Sequence, residues 1–145
     1  MPVAVLILVG YFLLKWLAYS WWSKKGLGHV EPERRWRFAM VWGAGRVILG
    51  LGFGWLIFLG VMKFSRDWRE VAVPVRTALV YLATYAPAHW LSWGIVGTLM
   101  RPAPREVSAV FVGFPKWRLG GLLLSGVLDV VFILVSGDAG NMRFG

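Results

Sequence analysis

Phe38–Met62 reads FAMVWGAGRVILGLGFGWLIFLGVM, an apolar run interrupted by one ionisable residue, Arg46. As an α-helix rising 1.5 Å per residue it exceeds the roughly 20 residues needed to cross a ~30 Å hydrocarbon layer. A helix that is apolar all round belongs in the core of a large protein or in a membrane, and a chain of 145 residues has no such large core. Three further stretches share this character: Pro2–Trp22, Arg76–Met100 and Leu119–Ser136. The expected architecture is an all-α membrane protein, a compact bundle of four transmembrane helices with short loops and both termini on the same side. Residues 1–145 then form a single four-span domain, with spans at about 2–22, 38–62, 76–100 and 119–136.

Composition agrees. Apolar residues make up 58% and charged residues only 16%, against roughly 25% charged in soluble domains. The absence of cysteine removes disulfides, thiol redox chemistry and thiolate metal sites. The net charge of +9 is spread along the flanks of apolar segments. It therefore reads as topogenic charge and contact with anionic lipid head groups, and no nucleic-acid partner is expected.

Orientation follows from the basic residues of the short loops. Lys24, Lys25, Arg34, Arg35, Arg37, Arg101, Arg105, Lys116 and Arg118 put nine on one side. Lys63, Arg66, Arg69, Arg76 and Arg143 put five on the other. The richer side is expected to face the cytoplasm of a bacterial cell, with both termini outside the cytoplasmic membrane. Ala18-Tyr19-Ser20 loosely resembles a cleavage site, but lysines follow the first apolar run and none precedes it, so this segment is expected to be a retained helix. Trp21, Trp22, Trp36, Trp42 and Trp117 fall at span ends, as in an interfacial aromatic belt, while Trp55, Trp90 and Trp93 lie deeper.

Among the connections, Ser23–Arg37 contains Gly26, Gly28 and Pro32, which argue against a continuous helix. Lys63–Val75 alternates Trp68, Val71 and Val73 with charges and reads as interfacial. Val107–Phe114 is apolar but too short to span, and reads as a loop seated in lipid or awaiting a partner subunit.

Gly43, Gly50 and Gly54 lie near one face of the second span, and Gly120, Gly121 and Gly126 give the fourth a small face. In lipid, such faces allow the close packing that drives helix association, within the bundle or in a homo-oligomer. A nucleotide-binding glycine loop would need a strand–turn–helix context that is missing here.

Four ionisable residues fall inside spans: Lys15, Arg46, His89 and Asp129. Burying Lys, Arg or Asp at mid-membrane costs at least ~2.5–3.5 kcal/mol, so each needs a reason. Asp129 is the one acid within a span, which leads to an expected Arg46–Asp129 pair, with Lys15 snorkelling to the head groups. His89, beside Pro87 and followed by Trp90 and Trp93, is a candidate for proton transfer, hydrogen bonding or ligand contact. No cofactor is required. Haem or pigment ligation by His89 is conceivable, but a bis-histidine haem would need a second buried histidine, and His29 falls in a loop.

There is no nucleophile triad pattern, no H-E-x-x-H and no pair of carboxylates within the spans, which leaves an ordinary catalytic site little to draw on. Enzyme activity is therefore not the leading expectation. Three readings follow, in order. The first is a non-catalytic subunit or accessory factor of a larger membrane assembly. The second is a small oligomeric transporter or channel using Asp129, Arg46 and His89, with Lys15 beside the path. The third is an apolar-ligand or pigment binder around His89, Trp90 and Trp93.

Overall fold

The computed structural model describes residues 3–64, 73–102 and 107–141. It is all-helical, with no strand among the described residues. There are four long helices, α1 (Val3–Gly26), α2 (Pro32–Phe64), α3 (Val73–Leu99) and α5 (Pro115–Asn141), with one short helix, α4 (Ala109–Val112), between α3 and α5. α1 packs on α2 and α5, and α3 packs on α2, α4 and α5, so the long helices follow one another round a ring.

Three helical segments, Val5–Gly26, Pro32–Lys63 and Pro115–Val135, are long and apolar enough to cross a membrane. This is a membrane protein by that criterion, and its outer faces agree: Leu6, Leu13, Val41, Ile48, Leu56 and Leu134 are all exposed. The third expected span, α3, does not join them. Tyr81, Tyr85, Pro87, His89 and Ser92 lower its hydropathy. The physical reason lies in its packing: Ala88, His89, Ser92, Trp93, Val96 and Thr98 are buried against neighbouring helices, where polar groups find protein instead of lipid.

The connection between α1 and α2 is tighter than the sequence implied. α1 runs on to Gly26 and α2 starts at Pro32, so much of Ser23–Arg37 is helical. Proline suits a first helical position because its missing N–H needs no partner there. Arg35 closes the turn, its Nη2 donating to Val30 O at 3.0 Å. At 33 residues α2 is about 50 Å long, more than a bilayer core, so its charged N-terminal turns can stand outside the hydrocarbon. α3 continues as one helix through Pro87. Much of the second loop (Arg66, Trp68, Arg69 and Val71), together with Arg105 and Arg143, lies outside the described residues.

Indole N–H groups tie the ring together. Trp16 donates to Met40 O at 2.9 Å, joining α1 to α2. Trp22 donates to Trp117 O at 3.0 Å, joining α1 to α5. Trp22 therefore packs inward, against Gly120, where an added Cβ would stand 2.3 Å from its ring. Trp93, fully buried, covers Gly121 in the same way. Gly43 brings backbones together: a Cβ there would meet the Ser20 amide nitrogen at 2.7 Å. Ser20, Thr98 and Ser125 return their hydroxyl protons to the carbonyls of Trp16, Gly94 and Gly121, one turn earlier, so these small residues leave no unpaired donor.

Candidate functional site

Helical periodicity assembles the interior. Tyr11, Lys15 and Tyr19 share one face of α1, and Tyr81, Tyr85, His89 and Trp93 share one face of α3, each set at four-residue intervals. Gly121, Ser125 and Asp129 form the matching row on α5, and α2 contributes Arg46 and Gly50.

The expected Arg46–Asp129 pair does not form. Asp129 is taken by α1, with Lys15 Nζ 2.6 Å from Asp129 Oδ1 and the Tyr11 hydroxyl donating to the same oxygen. α1 and α5 are direct neighbours, whereas α2 has no comparable contact with α5. Lys15 accordingly does not snorkel. Its side chain is only 13% exposed and ends on the carboxylate. The pair cancels its own charge, which is how two ions can remain in a dry interior.

Among the described residues, Arg46 is then left without an acid. It is 1% exposed, and its guanidinium carbon sits 5.0 Å from the Tyr19 ring centroid and 4.8 Å from that of Trp93. Two aromatic faces stabilise a desolvated cation by about 2 kcal/mol or more each. Neither ring supplies an oxygen or nitrogen acceptor at the guanidinium, and Nε and Nη2 have no hydrogen-bond partner. Nη1 lies over Gly50, where a Cβ would come within 2.4 Å of it.

His89 is buried and stacks on Tyr85 with ring centroids 3.9 Å apart, and Tyr85 stacks in turn on Tyr81 at 5.1 Å. No side chain bonds either imidazole nitrogen, and the backbone of Tyr85, one turn earlier, is within hydrogen-bonding reach. Lys15, Arg46 and His89 meet at a small cavity of about 70 Å³, walled also by Phe12, Tyr19 and Gly50. Beside it a groove of about 480 Å³ opens between α2 and α3, lined by Gly54, Trp55, Phe58, Val80 and Thr84 among others. Gly50, Leu51 and His89 border both spaces.

Of the glycines expected to form a packing face on α2, only Gly43 receives another helix's backbone. Gly50 makes room for Arg46, and Gly54 meets nothing within 4 Å because it floors the groove. At Gly126 an added Cβ would stand 3.4 Å from the Tyr85 hydroxyl, an ordinary van der Waals separation. Trp90 lies away from the cavity and donates to Phe111 O at 2.9 Å, holding α4 against α3.

The sequence reading missed Tyr11, Tyr19 and Arg118. The first two were legible in the four-residue spacing around Lys15. Arg118 read as a loop cation, but it is fully buried. Its Nη2 donates to Trp90 O at 2.6 Å and Val110 O at 2.9 Å, and its Nη1 donates to Gly113 O at 3.2 Å. Gly94 leaves the space for this clamp, since a Cβ there would collide with Val110 O and Arg118. Among the described residues, no three His, Asp or Glu side chains gather in a way that would hold a metal ion.

The chain matches no protein-family profile, no curated protein and no solved structure.

Proposed function

We propose that this small integral membrane protein binds a lipid-soluble ligand in the groove between α2 and α3. One observation carries the reading: the groove's volume falls within the roughly 300–1,000 Å³ of small-molecule sites, and it ends at buried polar groups that lack partners. Apolar walls with a few converging polar groups are the usual composition of such a site. In this reading α3 completes a four-span bundle with both termini on the outer side of a bacterial cytoplasmic membrane. Its less apolar face is the ligand-bearing one. The reading is a version of the third expected function in which only His89 of His89, Trp90 and Trp93 borders the ligand space. It is favoured over transport because Lys15 and Asp129 hold each other and, among the described residues, leave no chain of exchanging ions.

The test is photolabelling in lipid nanodiscs with a diazirine-bearing sixteen-carbon alcohol. Labels should concentrate on Gly50–Phe58 and Val80–His89, and should vanish from both when Gly54 is replaced by leucine. Equal labelling of the outer face of α1, around Leu6 and Leu13, would sink the reading.

A second reading, a subunit of a larger membrane assembly, draws on the α4 turn. Val107, Phe111 and Val112 project outward there, from a turn pinned by Trp90 and Arg118. Co-purification of a stoichiometric partner in mild detergent, lost on Phe111→Asp, would support it. An unchanged profile would remove it.

A further inference from the structure

We propose that the groove's ligand is a single-chain amphiphile ending in a carboxylate, and that Arg46 is the counter-ion for that carboxylate. This rests on the groove reading above and adds the chemistry of the head group.

Among the described residues, the charge balance of the interior leaves room for a further acid. Asp129 is the one acid on the facing rows of the four long helices, and Lys15 and Tyr11 already occupy it. Arg46 keeps a full positive charge, flanked by two rings and with two nitrogens unpartnered. A buried guanidinium left in this state loses its hydration without replacement, and a carboxylate accepting two parallel N–H bonds is the group that best restores it.

Geometry gives the acid a route. Arg46 lines the cavity with its Nη1 over Gly50, and Gly50 borders both the cavity and the groove, so a head group entering from the groove passes Gly50 and His89 to reach the guanidinium. His89 borders the same junction, with no side chain bonded to its ring nitrogens, and can donate from one of them to the second carboxylate oxygen. The cavity is small. At about 10–15 Å³ per water it has room for a few waters or one carboxylate, not a phospholipid head group. Arg46 also lies roughly two turns into its span, a depth that a compact carboxylate on one chain reaches more cheaply than a bulky zwitterion. A free aqueous anion fits less well, because the groove that leads to Arg46 is walled by Trp55, Phe58 and Val80.

The test uses the full chain in phosphatidylcholine nanodiscs, with tryptophan quenching by brominated palmitate or brominated hexadecanol as readout and acetate as competitor. Palmitate is expected to bind about tenfold more tightly than hexadecanol at equal membrane concentration, and excess acetate is expected not to displace it. In Arg46→Met the acid-to-alcohol ratio should fall to about one, measured within a single preparation so that partial loss of folded protein cancels. Equal binding of acid and alcohol by the wild type would overturn the head-group assignment while leaving the groove intact. Displacement by acetate would overturn it in favour of a small-anion site. Failure of both brominated probes to quench would remove the groove reading and this inference with it.

Discussion

Two buried arginines, Arg118 and Arg46, solve the same problem in opposite ways. Both are sequestered, and both stack on tryptophan, Arg118 at 4.0 Å from the Trp90 centroid and Arg46 at 4.8 Å from that of Trp93. Arg118 spends its terminal nitrogens on three backbone carbonyls, two from the α4 turn region and one from α3. Arg46 finds rings but no acceptor for Nε or Nη2. The first is the bonding of a structural clamp. The second leaves two donors unanswered, on a residue that lines a cavity.

The same substitution at the two positions should therefore give unlike results. Arg118→Met strands three carbonyls and frees α4, and should cost about 3–5 kcal/mol in detergent unfolding. A loss under about 1 kcal/mol would show that the carbonyl network does not hold the turn. Next in size is Asp129→Asn, which leaves Lys15 charged without an answer and should cost about 3 kcal/mol. Adding Lys15→Met should recover most of that loss, since the pair can be replaced by apolar side chains of similar volume. Additive losses in the double variant would mean the two ions act independently. Gly43→Leu should cost about 1–3 kcal/mol by forcing α1 from α2, because the obstructing atoms include Ser20 backbone. Smallest is Arg46→Met, expected to shift stability by less than about 1 kcal/mol, as lost ring contacts offset the relief of an unpaired charge. An Arg46 effect as large as that of Arg118 would erase the contrast between the two.

The helical, membrane-embedded character was written in the sequence because hydropathy depends on composition alone. Phe38–Met62 needs no knowledge of its neighbours to be read. Partner choice was not, because it depends on which helices sit side by side. Arg46 and Asp129 look complementary in a linear reading, yet the ring order places α1 next to α5 and gives Asp129 to Lys15. The repeat Tyr11, Lys15, Tyr19 carried the missing information: an aromatic and a hydroxyl one turn either side of a lysine signal an inward face. Arg118 was misread for a related reason. It lies near the end of an apolar run, where cations normally meet head groups, and only the folded-back turn at 107–114 shows that acceptors wait for it inside. The glycines divided in the same way. Spacing identified a small-residue face but not whether a helix, a side chain or an open groove would lie against it, and Gly43, Gly50 and Gly54 took one each.

The most direct test of the claim that Arg46 is reserved for a ligand is the thermal unfolding midpoint of delipidated protein in a non-ionic detergent, with and without palmitate. A ligand that binds only the folded state raises the midpoint in proportion to its affinity. The wild type should gain stability with palmitate, and Arg46→Met should gain none beyond what hexadecanol gives. An equal palmitate-dependent rise in wild type and Arg46→Met would contradict the account, and would leave Arg46 as a cation held by its two rings alone.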